Sequence, residues 1–149
     1  MITQFLHRRI KKVTDSRPPD ALIDIDYMER WYLIPRNRFF NVYAHRFVGS
    51  DAPPPLDHPW FSFGLILDGD YLEHTPQGTS HKHTGNLSFR GPRYLHWIEI
   101  DQPVHTLFIT GPNLFKWGFL CKSGWMHHEQ YIKQRGPNRR ASGCGEFET

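Results

Sequence analysis

The stretch Leu56–Glu73, LDHPWFSFGLILDGDYLE, sets a histidine, several aromatics, a glycine turn and a carboxylate in adjoining extended runs. Phe61 to Leu67 has the length and apolar content of a buried strand. Asp68-Gly69-Asp70 is a turn signal after it, and Tyr71 to His74 reads as the returning strand of a hairpin. Side chains alternate along a strand, so Tyr71 and Glu73 share one face.

The same short-strand pattern extends in both directions. Upstream, WYLI is followed by a turn at PRNR and by FFNVYAHRFV, where Tyr43, His45 and Phe47 form one alternate set. Ala21 to Arg30 alternates Ile23, Ile25 and Tyr27 with acids and reads as a strand or an extended arm. Met1 to Arg17 has apolar residues at near-helical spacing, and Pro18-Pro19 would end that helix. Downstream, Thr75 to Gly85 is polar enough for an exposed connection. Asn86 to Arg90, Leu95 to Ile100 and Thr106 to Thr110 read as further short strands, and FKWGFLC suggests another pair. Trp125 to Gln134 fits a strand or a helical turn. Residues 135–149 have the glycine, serine and charge content of a disordered tail.

The predicted organisation is therefore a basic N-terminal segment over 1–20, a β domain over 21–134 and a tail over 135–149. Many short strands with few helices point to a closed barrel or a double-sheet jelly roll. An immunoglobulin-like sandwich is the structural competitor, but it gives polar residues no mouth at which to gather. A chain of 149 residues suits one domain, and an aromatic content of 15% suits sheets.

The net charge of +3 arises from basic clusters near the ends, including HRRIKK at His7 to Lys12. No stacking platform or nucleic-acid motif accompanies them, so they read as solvated ends and nucleic acid is not an expected partner. Cys121 and Cys144 lie far apart, so neither a disulfide framework nor a CxxC metal clip is indicated. No apolar run approaches the ~18 residues that a bilayer span requires, and no secretory pattern opens the chain. A cytoplasmic protein without membrane contact is expected.

Residues from Arg30 to Trp125 carry a resemblance. RWYLIPRNRFFNVYAHRF, SD, DHPW, GDYLEH, Phe89-Arg90, His96, TLFITGP, WGF and GW occur in the order seen in cupins. The chain resembles in particular a little-characterised bacterial and phage-associated cupin group. The resemblance implies an all-β cupin barrel, a double-stranded β-helix of jelly-roll type, with a short N-terminal helix or arm and a flexible C-terminal tail.

The usual cupin motifs, G(X)5HXH(X)3-4E(X)6G and G(X)5PXG(X)2H(X)3N, supply three histidines and a glutamate to a metal. Laid on this chain, the second starts at Gly85 and places its histidine on His96; Gly91, Arg93 and Ile100 replace its proline, glycine and asparagine. In the first, His58 takes the second histidine position and Gly69 the last glycine, while Leu56 and Ser62 replace a histidine and the glutamate. Two imidazoles alone hold a metal weakly, since a catalytic ion normally has three protein ligands and an open position.

A replacement carboxylate would restore a two-histidine, one-carboxylate set. Glu73 is the first choice, giving His58, His96 and Glu73 as candidate ligands for a divalent Fe, Mn, Ni or Zn ion. Asp57 is nearer in sequence, but it would face outward if His58 faces inward. His45 is a further candidate ligand. Tyr71 and His45 are the candidates for proton transfer, and Ser62, Tyr43, Trp60 and Arg90 for the pocket wall. The plain alternatives are that His58 and His96 are partnered structural histidines and that Tyr43 and Trp60 are core aromatics. His81-Lys82-His83 reads as a surface pair. No GXSXG elbow surrounds Ser62, so a pocket hydroxyl is expected there rather than a nucleophile.

Three functions follow. One is a metal-dependent enzyme of oxygenase or isomerase type acting on a small polar substrate in the barrel mouth. A second is a metal-free module that binds or sequesters a small molecule. The third is a homodimeric interaction protein, for which the arm from Ala21 to Ile34 would be suited.

Overall fold

The computed structural model describes residues 1–51 and 54–135. Helix α1 (Ile2–Ser16) precedes eleven strands: β1 (Ala21–Ile23), β2 (Met28–Tyr32), β3 (Asn41–Phe47), β4 (Ser62–Asp68), β5 (Asp70–Thr75), β6 (Gly78–His83), β7 (Leu87–Arg90), β8 (Trp97–Glu99), β9 (Val104–Thr110), β10 (Gly118–Cys121) and β11 (Gly124–His127). Helix α2 (His128–Arg135) follows. The tail expected over 135–149 lies outside the described residues beyond Arg135.

A six-stranded antiparallel sheet in the order β1-β2-β3-β9-β4-β7 faces a three-stranded sheet, β6-β5-β8. The β10–β11 hairpin is tied on through Leu56, whose backbone bridges to both His96 and Phe119. Ile66, Tyr71, Ile98 and Val104 form one core cluster, joined by Tyr27, Phe47 and Ile100. Phe119, Cys121 and Tyr131 form a second with Leu56, Trp117 and Met126. The mixed use of aromatic and β-branched residues suits two sheet faces that meet around a cavity.

Several local expectations are met. Helix α1 ends before Pro18-Pro19, with Arg17 already extended. It lies on the outside of the barrel and none of its residues is fully buried. Arg17 ties its end to β2, donating from Nη2 to the Tyr32 carbonyl at 3.0 Å, while Trp31 Nε1 donates to the Arg17 carbonyl at 3.1 Å.

Others are corrected. Asp68-Gly69-Asp70 does not make a hairpin: β4 pairs with β7 and β9, whereas β5 pairs with β6 and β8. The chain turns a corner between sheets instead. Gly69 has φ +95°, and a Cβ there would meet the Pro103 carbonyl at 3.0 Å and Val104 at 3.2 Å, so only glycine fits without strain. The polar run after Thr75 is not a connection. Its residues Gly78–His83 form the exposed edge strand β6, whose polarity is what an edge facing water requires. The Ala21–Ile34 arm folds back within the chain, with β1 and β2 as a hairpin on β3. Cys121 is disulfide-bonded, which corrects the expectation of an unlinked thiol there.

Candidate functional site

The inner face of the large sheet is arranged in registered rows. Arg30 on β2 stands opposite His45 on β3, His45 opposite Thr106 on β9, and Thr106 opposite Ile66 on β4. One row on, Tyr43 stands opposite Phe108; at the β4–β7 edge Ser62 pairs with Arg90. Together with His58, Trp60, Tyr71 and His96, all of these residues except Tyr43 line a cavity of about 410 Å³. That size is within the range of small-molecule sites.

The alternation expected for β5 holds. Tyr71 and Glu73 are buried at 7% and 1% exposure, and both turn inward. Glu73 then meets Arg90 rather than an open space. Its Oε1 accepts from Arg90 Nε at 2.9 Å, from Arg90 Nη2 at 2.5 Å and from His96 Nδ1 at 3.0 Å. Tyr71 Oη accepts a longer bond from Arg90 Nη2 at 3.3 Å. The closed set explains how a carboxylate tolerates the interior: burial opposes its ionisation, but the His96 hydrogen bond and the Arg90 charge prevail and hold it at about 2. Arg90 stays charged, raised by Tyr71 and Glu73 against the opposing effect of burial.

The histidines are held neutral. Burial, then the proximity of His96 and of the Arg90 and Arg30 charges, takes His58 down to about 3. His96 is lowered by burial despite the favourable Glu73 contact. His45 is lowered well below its ordinary value by burial and by Arg30, whose Nε donates to His45 Nε2 at 2.9 Å. Because Glu73 accepts at His96 Nδ1, the network assigns the proton to that nitrogen and leaves Nε2 as the basic atom. The His58 and His96 rings lie 5.6 Å apart, brought together by the two backbone hydrogen bonds between Leu56 and His96 at 3.0 and 3.1 Å.

All nine residues singled out in the sequence thus fall on or beside one cavity, with Tyr43 buried behind the wall under a 5.6 Å stack with His45. Asp57 points away from His58 as expected, but not into water. It is buried, accepting from the Gly118 backbone N–H at 2.8 Å and from Trp125 Nε1 at 3.1 Å, and so anchors the β10–β11 hairpin. His81 is exposed and lies 2.6 Å from Asp70.

Arg30 was not apparent from the sequence as a site residue. Its guanidinium lies 4.5 Å from the Tyr43 ring centroid and has no carboxylate partner among the described residues. Trp60 Nε1 and Thr106 Oγ1, also in the cavity wall, are buried without a hydrogen-bond partner among the described residues. The one available signal for Arg30 was a charge set between apolar residues of a strand. Its pairing with His45 required the register.

The donors present do not fit the three-histidine, one-glutamate arrangement. Leu56 and Ser62 replace two of those ligands, and Glu73 Oε1 already has three hydrogen-bond donors. Among the described residues, the group of three whose ligand atoms all lie within 4.8 Å is His7, Asp68 and His105, outside the barrel. No helix of the described residues is long and apolar enough to cross a membrane.

No family model matches the chain, and no curated protein matches it in sequence. Solved structures match in shape. KdgF from a Halomonas species superposes with a TM-score of 0.54 at 12% identity, over 66% of this chain and 91% of that one. A cupin superfamily protein from Desulfitobacterium hafniense gives 0.51 at 12%, over 62% and 84%. Ectoine synthase from P. lautus gives 0.51 at 12%, over 60% and 67%. Nothing among them supports the narrower phage-associated resemblance. At this identity the likeness is one of architecture, and it agrees with the two facing sheets and the cavity between them: the chain is built on the cupin barrel fold.

Proposed function

We propose that the chain is a binding protein whose barrel encloses a small anionic polar molecule, with Arg30 as the charge anchor. The observation that carries this reading is the buried wall of unmatched donors. Arg30, half-buried, makes no ion pair with a carboxylate among the described residues, although Asp24 and Asp51 also line the cavity, and Trp60 Nε1 and Thr106 Oγ1 have no hydrogen-bond partner among those residues. A buried polar group without a partner costs about 1–3 kcal/mol, so a ligand that supplies acceptors at these atoms recovers it. A carboxylate or phosphate oxygen matches a guanidinium edge, and charge-assisted hydrogen bonds are the stronger kind. His58 and His96, both neutral, would accept from or donate to the uncharged part of the ligand, and Phe108 would pack against it.

A second reading is an enzyme that uses a divalent transition ion on His58 and His96. What favours it is that both imidazoles are in the neutral, ligating form, with His96 Nε2 left basic by the Glu73 hydrogen bond. Glu73 would have to offer Oε2, since Oε1 is taken by Arg90 and His96 and Lys82 Nζ lies 3.9 Å from Oε2.

Calorimetric titration of untagged protein with inorganic phosphate and a series of small mono- and dicarboxylates separates the two. The binding reading predicts an anion that binds after exhaustive chelation, with affinity reduced roughly 10- to 100-fold by Arg30→Gln, the loss of one charge-assisted contact. Binding that requires added metal and vanishes in His58→Ala while surviving Arg30→Gln would establish the second reading and overturn the first.

A further inference from the structure

The outer face of the large sheet carries a second polar cluster that the cavity does not use. His105 lies on β9 among the outward residues, between the inward Val104 and Thr106. Asp68 comes opposite it through a register shift in β4: Ile66 pairs with Thr106 and Asp68 with His105, so Leu67 is the extra residue of a bulge. Bulges re-aim side chains, and this one brings a carboxylate to His105 where strict alternation would have brought a leucine. Helix α1 supplies His7 from above, its ring centroid 5.5 Å from that of His105.

These groups do not satisfy one another. His7 Nε2 and His105 Nδ1 are both buried atoms with no hydrogen-bond partner among the described residues. Asp68 Oδ2 is 3.9 Å from His105 Nδ1, too far for a hydrogen bond. Yet the three ligand atoms are gathered within 4.8 Å of one another. The nearby cations are already committed, Lys11 to Asp15 at 2.6 Å and Arg46 to Glu29 at 2.5 Å.

We propose that His7, Asp68 and His105 form a site for a divalent first-row transition ion of the zinc class, which fastens α1 to the outside of the barrel. Two imidazoles with one carboxylate suit Zn²⁺ and its neighbours, whereas Mg²⁺ and Ca²⁺ prefer all-oxygen sets. Metal–ligand bonds of about 2.0–2.1 Å place tetrahedral ligand atoms roughly 3.3 Å apart, so the cluster must contract by about 1.5 Å at most. Both outer members can move: Asp68 has 60% of its side chain exposed, and His7 rides on a helix with no fully buried residue. The exposed side at Asp68 leaves room for water at the remaining position. Helix α1 is held on the sheet by half-buried residues such as Leu6, Ile10 and Val13 and by the bonds at Arg17, and an ion bridging helix and sheet adds a further fastening.

The test is a titration of chelator-stripped, untagged protein with Zn²⁺ at pH 7.5, followed by calorimetry and by hydrogen exchange of the α1 amides. One equivalent is expected to bind, with α1 exchange slowed about tenfold or more. Asp68→Asn, at an exposed position that leaves the fold undisturbed, and the double variant His7→Ala/His105→Ala are each expected to weaken binding by at least about tenfold and to remove the protection. His58→Ala is expected to leave both intact. Unchanged α1 exchange on adding Zn²⁺, or equal affinity in the double variant, would overturn the site. Failure here leaves the anion reading untouched, because Arg30 plays no part in it.

Discussion

Two clusters of imidazole and carboxylate sit on opposite sides of one sheet, and they differ in what surrounds them. Inside, Glu73 and His96 are joined by Arg90, and every short contact closes within the group. Outside, His7, Asp68 and His105 gather beside Arg46, which pairs with Glu29 instead, and two buried nitrogens have no hydrogen-bond partner among the described residues. The contrast shows that the residue types of a metal site do not make one. A guanidinium bonded to the carboxylate converts a would-be ligand into half of an ion pair, whereas one already paired elsewhere leaves the ligands available.

The largest effect should come from breaking the inner set. Glu73→Ala strands the Arg90 charge in the interior, and a loss of about 3–5 kcal/mol is expected in denaturant unfolding. A change under about 1 kcal/mol would mean that the inner cluster is not closed as described. Replacing both partners, in Glu73→Leu/Arg90→Met, should recover a large part of that loss.

Acid should come next. His45, His58 and His96 have folded-state values below the ordinary 6.5, so the unfolded chain binds protons that the folded one refuses. Their contribution to stability is present above pH ~6.5 and is lost as pH falls, for His58 down to about 3. Each imidazole held neutral steepens that fall by up to about 1.4 kcal/mol per pH unit. Glu73, depressed to about 2, adds stability above its unfolded value that is lost between pH ~4.3 and about 2. Urea unfolding midpoints from pH 8 to 4 should therefore decline from about pH 6.5; a flat profile between 6.5 and 5 would contradict neutral buried histidines.

A smaller loss is expected at the corner that separates the two clusters. Gly69→Ala places a side chain at φ +95° against Pro103 and Val104, for a cost of about 1–3 kcal/mol. The smallest loss is predicted outside: without metal, His7→Ala should cost no more than about 0.5 kcal/mol and can stabilise, because it removes a buried Nε2 with no hydrogen-bond partner among the described residues. A loss well above that in chelated protein would show that His7 already has a structural partner.

Much of the inner site was legible in the sequence because strand parity is a strong constraint. Tyr71 and Glu73 share a face by spacing alone, and the position of His96 relative to Gly85 matched a cupin motif. What parity does not reveal is which strand lies beside which. Arg90 was expected in the wall, but its capture of Glu73 depends on β5 and β7 lying in facing sheets. Arg30 was missed because its partner His45 is assigned by register, not by proximity in the chain. The turn at Gly69 was read correctly as a turn and wrongly as a hairpin, since a glycine with positive φ serves a corner as well. The outer cluster had no sequence signal at all: it needs a bulge at Leu67 and a helix laid over the sheet.

The contrast between the two clusters is tested most directly by elemental analysis after equilibration with zinc and exhaustive dialysis, on untagged wild-type protein, His58→Ala/His96→Ala and His7→Ala/His105→Ala. About one zinc per chain is expected in the wild type and in the inner variant, and none in the outer one. Zinc retained by the outer variant and lost from the inner variant would contradict that contrast.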